Sequence, residues 1–225
     1  DSSVVAAVMA AKAANISGIF KAKAICDIDC SESGAVSYDQ VYKAKTDANL
    51  VDSEQIIVWP MATLGGMKFH LSTLLAGLIA SVDAENEGVP YESPSNKKLQ
   101  CDGLCLKDGT EVTMTLEQAN ILNGQGIVTA LNFVSGWVAW GNYTACYPAN
   151  ADVKDHFIPI GRMFKWVSNT LIKTFWSKTD APMNRRFLDN IKESANTWLA
   201  GLVGSEYLLG ARVEILDAEN PKADL

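Results

Sequence analysis

The sequence predicts an α/β fold: a mixed, partly parallel sheet flanked by helices, with a β-hairpin and two long C-terminal helices. In the N-terminal part, short apolar runs alternate with helical patterns, an order that favours parallel strands within one sheet. Residues 118–151 contain no Asp, Glu, Lys or Arg but several Gly and Asn, which is typical of buried strands joined by tight turns. Two long amphipathic patterns then close the sequence.

In the N-terminal part, each element follows from apolar spacing and from the residues that end it. Apolar side chains at three- and four-residue steps indicate helices, and uninterrupted apolar runs ended by Pro or acidic residues indicate buried strands. In chain order we predict a helix over 4–14, a strand over 22–28, a helix over 37–45 with Ser37 as N-cap, a strand over 54–59 ended by Pro60, a turn at 65–66 and a helix over 70–82.

The remaining elements are defined by caps and turns. Thr115 and Gln118 have the spacing of a capping box, in which two side chains satisfy the first free N–H groups of a helix. In chain order we predict a helix from Thr115 to 122, a hairpin of strands 126–133 and 136–144 turning at 135–136, helices over 160–176 and 184–204 with Gly204 as C-cap, and a final strand over 208–216.

The predicted elements belong to one core in two parts. We expect residues 1–115 to form its α/β part and residues 116–217 its hairpin and two-helix part. Residues 218–225 are expected to begin a C-terminal linker arm. Because the sequence starts at Asp1 and ends in a polar run, we expect it to be a piece of a longer polypeptide.

The net charge of −7 is unevenly distributed along the chain. Overall acidity argues against a nucleic-acid-binding function, because phosphates would be repelled. Residues 154–192 contain eight basic and three acidic side chains, a net charge of +5, whereas the rest of the chain carries −12. This basic segment fits either a solvated helix face or one half of a contact in which the basic face of one copy meets the acidic surface of another.

The sequence offers little support for a membrane, metal or catalytic function. No apolar run reaches the length of a membrane span, and the five Cys lack zinc-site spacing, so we expect free thiols and no metal or cofactor. His70 and His156 are the two histidines. Ser72 lies two residues after His70, a separation that points side chains apart on a helix, and Asp27 and Asp29 end a strand. We expect no catalytic residue; an α/β hydrolase-like enzyme using either histidine and a generic α/β binding module remain alternatives.

Several segments in a fixed order carry a resemblance to a known family. Residues 72–83 have the pattern Ser-x-x-x-Ala-Gly-x-x-Ala-x-x-Asp, and the loop 88–96 ends in Pro94-Ser95-Asn96. Leu-Asn at 122–123 precedes Gly-Ile at 126–127, Trp-Gly-x-x-Thr occupies 140–144, and 157–162 reads Phe-Ile-Pro-Ile-Gly-Arg. From about Ser53 onward, this order resembles the contractile phage tail sheath proteins, a family that includes the sheaths of R-type bacteriocins and related contractile injection systems.

The resemblance implies a structural protein without catalysis or cofactor, whose core is an α/β domain sometimes called subtilisin-like. Sheath subunits assemble as stacked hexameric rings around a tail tube and contract to drive the tube through a target cell envelope. Terminal arms add strands to sheets of neighbouring subunits. The implied partners are identical subunits, the tube protein, and baseplate and tail terminator proteins, with no nucleic acid and no direct membrane insertion. The implied location is a virion tail or contractile particle, assembled in the bacterial host cytoplasm.

Two sets of residues are therefore candidates for function. Exposed basic side chains in the basic segment are expected at subunit interfaces: Lys165, Lys173, Arg185 and Arg186. The residues that carry the family motifs are expected to have structural roles: Pro94, Asn96, Trp140, Gly141, Thr144 and Arg162.

Overall fold

The computed structural model describes residues 2–134, 136–182 and 184–216. The chain divides into two compact units, Asp1–Trp166 and Val167–Leu225, and helix α6 runs across the division. This partition differs from the predicted division at residue 115, which stays a prediction. The predicted linker arm at 218–225 lies outside the described residues.

The first unit contains both helices and strands, and the described elements of the second unit are helical. In chain order they are α1 (Ser2–Ala14), β1 (Ala24–Asp27), α2 (Tyr38–Asp47), β2 (Gln55–Val58), β3 (Met61–Leu64), β4 (Met67–Phe69), α3 (Leu71–Glu85), β5 (Gly103–Cys105), α4 (Leu116–Asn123), β6 (Ile127–Asn132), β7 (Trp137–Trp140), α5 (Val153–His156), α6 (Ile158–Phe175) and α7 (Arg185–Gly204). A short 3-10 turn, Trp176–Lys178, follows α6.

The main sheet has the order β1-β2-β6-β7. Strands β1, β2 and β6 are parallel, and β7 is antiparallel to β6, with which it forms the predicted hairpin. This confirms the predicted fold class, a mixed and partly parallel sheet flanked by helices. The predicted turn at 135–136 includes Ser135, which lies outside the described residues.

Apolar layers cover both faces of the main sheet. All four residues of β2 are buried, and successive side chains enter different clusters: Ile57 packs in one, Ile56 and Val58 in the other. Such two-sided burial explains why a parallel strand reads as an uninterrupted apolar run rather than an alternating one. The first cluster also holds residues of α1, α2 and α4, and the second holds residues of α3.

A second sheet of three short antiparallel strands, in the order β4-β3-β5, was not predicted from the sequence. Its strands contain three or four residues each, too few to display a period of two. The Gly65-Gly66 turn was predicted correctly and connects β3 to β4 with positive φ at both residues. Helix α5 was also not predicted, because its single turn of four residues is too short to show a helical period.

Three expectations about element ends need correction. Residues 208–216 form no strand, so the predicted final strand is wrong. Gly204 is not the C-cap of α7: the helix includes it, and the chain reverses at Glu206, whose φ is +63°. Ser37 occupies the N-cap position of α2 without a side-chain capping bond, whereas Thr115 and Gln118 form the complete capping box.

Among the described residues, no helix combines the length and apolarity that a membrane crossing requires. The long helix α6 illustrates this, because one side carries Arg162 and Lys165. Helix α6 is instead anchored in the first unit by its N-terminal turns, where Ile158 and Met163 are buried.

Candidate functional site

Two motif segments meet in an ion pair between α3 and α6. The two terminal guanidinium nitrogens of Arg162, Nη1 and Nη2, donate to the carboxylate of Asp83, and the Nη1–Oδ1 distance is 3.1 Å. The two side chains are 17% and 21% exposed, so most of the pair is removed from water. A bidentate, largely desolvated pair of this kind fixes orientation as well as distance. The pair therefore sets how the start of α6 lies against the end of α3.

A second ion pair fastens α6 one turn later. The Lys165 ammonium lies 2.5 Å from a carboxylate oxygen of Glu54, and both side chains are mostly buried. Lys23 lies beside this pair and donates to the Ser53 carbonyl at 2.5 Å, and burial lowers the pKa of Lys23. The predicted interface residue Lys165 is thus occupied within the first unit, and little of it remains to contact another molecule.

The loop that carries Pro94 and Asn96 runs along the outer edge of β7. Pro94 is buried, and Asn96, with φ of +61°, donates its N–H to the Ala139 carbonyl at 2.7 Å. Ala139 in turn donates to the Lys97 carbonyl, and Leu99 donates to that of Trp137. The loop therefore pairs with β7 in the manner of a fifth strand, so that β7 does not present a bare edge.

Trp140 and Gly141 end β7 at a position where the chain has little space. The indole N–H of Trp140 donates to the side chain of Asn120 on α4 at 2.8 Å. Gly141 has φ of +136°, and a Cβ there would lie 2.9 Å from the Cα of Val128. A side chain at Gly141 would collide with β6, which gives the glycine of this motif a physical reason.

Thr144 and Gly126 enclose a buried lysine. Thr144 is fully buried and donates to the Asp155 carbonyl at 2.8 Å. Lys45, with 1% of its surface exposed, donates to the carbonyls of Gln125 and Tyr147 at 2.6 and 2.9 Å. Burial lowers the pKa of Lys45 to about 8. At Gly126, φ is +70° and a Cβ would lie 2.6 Å from two of the surrounding carbonyl oxygens.

Periodicity and spacing alone do not predict the role of Lys45. A lysine in the last turn of a helix normally lies in water beside the negative end of the helix dipole. The sequence contains one indication of this site, the Gly-Ile pair of the family motif at 126–127. A glycine there allows neighbouring backbone carbonyls and the Lys45 ammonium to lie close to the chain. The motif residues contact neighbouring elements of the first unit, and their structural role stays a prediction.

The other basic interface candidates lie in the second unit and are exposed: Lys173, Arg185 and Arg186. Within the described residues none of the three takes part in an ion pair, whereas Lys192 lies 3.8 Å from Asp189. Their role at subunit interfaces is untested by this geometry and stays a prediction.

Three of the residues considered for catalysis, Asp27, His70 and Ser72, lie together at the start of α3. Asp27, at the end of β1, accepts from the backbone N–H and hydroxyl of Ser72, at the start of α3, and lies 3.4 Å from His70 Nδ1. A carboxylate at this position satisfies a free N–H of α3 and complements the positive end of its dipole. Ser72 donates to the aspartate rather than to a histidine base, so the serine lacks the partner that acyl transfer needs. Asp27, His70 and Ser72 line a groove of about 610 Å³.

The other titratable groups in the described part of the chain do not form a metal site. Among the described residues, no three His, Cys, Asp or Glu side chains lie close enough to bind one ion. All five cysteines are free and buried, and burial raises the pKa of Cys26 and Cys101 to about 11. His156 is buried in an aromatic cluster with Tyr143, Tyr147 and Phe157.

The fold of this chain is that of tail sheath proteins. Two solved relatives in fold are a sheath complex of the PVC extracellular contractile injection system and the helical sheath of the anti-feeding prophage, both contracted. Their TM-scores are 0.68 and 0.67, with 21% and 22% identity over 84% and 95% of this chain and 50% and 55% of theirs. The crystal structure of a sheath tail protein from Desulfitobacterium hafniense has a TM-score of 0.61 at 13% identity, covering 91% of this chain and 44% of its own.

Sequence comparison carries the relationship beyond the fold. The tail sheath protein of Burkholderia phage BcepMu is 30% identical over 169 residues, which is 75% of this chain and 35% of the phage protein. No family model matches. Together with the sheath fold and the resemblance seen in the motifs, this identity places the chain in the contractile tail sheath protein family. The chain spans about a third of the length of that phage relative and about half of its solved neighbours.

Proposed function

We propose that this chain is the core of a contractile tail sheath subunit. Copies of it assemble as stacked hexameric rings around a tail tube and contract to drive the tube through a target cell envelope. The observation that carries the proposal is the 30% identity to a phage tail sheath protein over three quarters of the chain. The role is structural and not enzymatic, in keeping with Asp27 serving as a helix cap beside Ser72.

Ion pairs and backbone hydrogen bonds between elements of the first unit support this role. Contraction moves subunits between two arrangements, and each subunit must keep its internal geometry while its contacts change. The Arg162–Asp83 and Lys165–Glu54 pairs fasten α6 to the sheet layer, and the loop that carries Asn96 protects the edge of β7. These contacts favour a body that moves as one piece.

The partners follow from the same proposal. Identical subunits come first, then the tail tube, baseplate and tail terminator proteins. One solved neighbour belongs to the baseplate of the anti-feeding prophage, with a TM-score of 0.65. The protein would reside in a virion tail or a contractile particle and would assemble in the cytoplasm of a bacterial host.

Electron microscopy tests the proposal directly. The protein is expressed from its complete gene, purified and imaged by negative staining, with light scattering to measure its mass. Tubes or helical sleeves are the expected result. A monodisperse monomer over a wide concentration range would refute self-assembly, because ring stacking requires repeated contacts between copies.

The exposed basic residues of the second unit provide the interface test. Lys173, Arg185 and Arg186 carry uncompensated positive charge in the described chain, and the first unit carries a net charge of −6. We expect the triple change to glutamate to abolish sleeves and to leave the circular dichroism spectrum unchanged, because opposite charges steer and orient such contacts. Changing Lys43, an exposed lysine paired to Asp47, to glutamate is the control. If the triple variant forms sleeves as readily as the wild type, these three basic residues do not contribute to the subunit interface.

A further inference from the structure

The C-terminal end of α7 reverses the chain direction. Glu206 donates its N–H to the Val203 carbonyl and Tyr207 donates to that of Leu202, both at 3.0 Å. With Glu206 in the left-handed region, this is the hydrogen-bond pattern that ends a helix and turns the chain back. The residues that follow, 208–216, contain no helix or strand.

One side chain of α7 holds the returning segment. The Oδ1 atom of Asn196 accepts from the Val213 N–H at 2.8 Å, and its Nδ2 donates to the Val213 carbonyl at 3.0 Å. In an antiparallel ladder, two residues exchange the same pair of bonds. Asn is suited to this position because its amide offers an acceptor and donors together, whereas Asp only accepts and Ala does neither.

Beyond this pair, the segment is weakly attached. Residues 208–216 are all described, and none of them makes another hydrogen bond to the rest of the described chain. The one ion pair in the segment, Arg212–Glu214, is internal to it and exposed. Leu209 and Leu216 are also exposed, so apolar burial contributes little at these two positions.

We propose that Asn196 is the positioning residue that holds residues 208–216 on α7, acting as a clasp on the backbone of Val213. The turn at Glu206 reverses the chain, and the clasp fixes where the returning segment lies along α7. Its consequence for assembly rests on the function proposed above: a segment held at one residue can leave α7 and contact another copy without any unfolding of the helix. Detaching it breaks the two hydrogen bonds to Asn196 and exposes the half-buried side chains of Leu208 and Val213.

Trypsin provides a direct test in the isolated 225-residue chain. Trypsin cleaves after Arg212, and the N–H next to that bond is the one that Asn196 accepts. In Asn196→Ala we expect cleavage at this bond to be at least about tenfold faster, because proteolysis follows the population of the detached state. The matched control is Asn190→Ala, an exposed asparagine on the same helix. Equal cleavage rates in Asn196→Ala and the wild type, or equal acceleration in the control, would overturn the proposal.

A second variant separates the clasp from damage to α7. Asn196→Asp keeps the acceptor for Val213 N–H and loses the donor, so we expect an intermediate cleavage rate and a Val213 amide that still exchanges slowly. Cleavage after Arg185 and Arg186, at the start of α7, should not change in either variant. A fully unprotected Val213 amide in Asn196→Asp would contradict the assigned hydrogen bond. The test does not depend on sleeve formation, so it can fail or succeed independently of the proposed function.

Discussion

The ion pair between Arg162 and Asp83 allows a quantitative test of how the sheath motifs work. Removing one partner of a fully buried pair costs about 3–5 kcal/mol, because the other charge remains desolvated. Here the side chains are 17% and 21% exposed, so we expect about 2–3 kcal/mol for Arg162→Met and about 2 kcal/mol for Asp83→Asn. The double variant should cost little more than the larger single change, which corresponds to a coupling energy of about 1.5 kcal/mol.

The assay is urea unfolding of the 225-residue chain, followed by tryptophan fluorescence, for the wild type and the three variants. The slope of free energy against urea should not change, because the variants expose no additional surface on unfolding. The matched control is the Lys43–Asp47 pair on α2, which is 79% and 62% exposed and should couple by less than about 0.5 kcal/mol. If the Arg162–Asp83 coupling is as small as that of the control, or vanishes in 0.5 M salt (taken as roughly a 4 Å Debye length), burial does not explain the pair.

Three further predictions concern joints of the fold. Gly126→Ala should destabilise the chain by about 3 kcal/mol or more in the same urea assay, since its Cβ would press on two carbonyl oxygens at positive φ; a loss below about 1 kcal/mol would show that the site relaxes. Lys45 has a pKa lowered to about 8 from 10.5, so the unfolded chain binds more protons between these values. The wild type should therefore gain about 1–3 kcal/mol relative to Lys45→Met as pH rises from 8 to 10.5, and a flat difference would refute the buried charge. Glu206→Gly should raise the melting temperature, with about 1 kcal/mol gained, because glycine adopts φ of +63° without strain; a lower melting temperature would contradict this.

Local pattern was enough for much of the fold. The apolar run 54–59 becomes β2, buried on both faces, and Thr115 with Gln118 forms the capping box expected from their spacing. In both cases the pattern that predicts the element lies within a few consecutive residues. The predicted strand over 208–216 failed for the opposite reason: its backbone finds a side chain of α7, 17 residues earlier, instead of a neighbouring strand.

The resemblance to the family named residues of the candidate site, but it did not predict which residues they contact. The resemblance to sheath proteins pointed to Asn96, Gly141 and Arg162, yet their partners lie far along the chain, as with Asp83, 79 residues before Arg162. Lys165 was expected on an interface because it belongs to a basic segment, but the fold pairs it with Glu54. Charge counts describe how much charge a segment carries and contain no information on which charges are already paired.

The sequence by itself determined the class of fold, the order of most elements and the family, because periodicity, caps and motif order depend on near neighbours in the chain. Tertiary structure alone decided the ion pair of Arg162, the buried ammonium of Lys45 and the clasp of Asn196. Each of these depends on atoms that approach within a hydrogen-bond distance only after the chain has folded. Folding also removes water from these contacts, so their strength depends on how tightly the surrounding side chains pack.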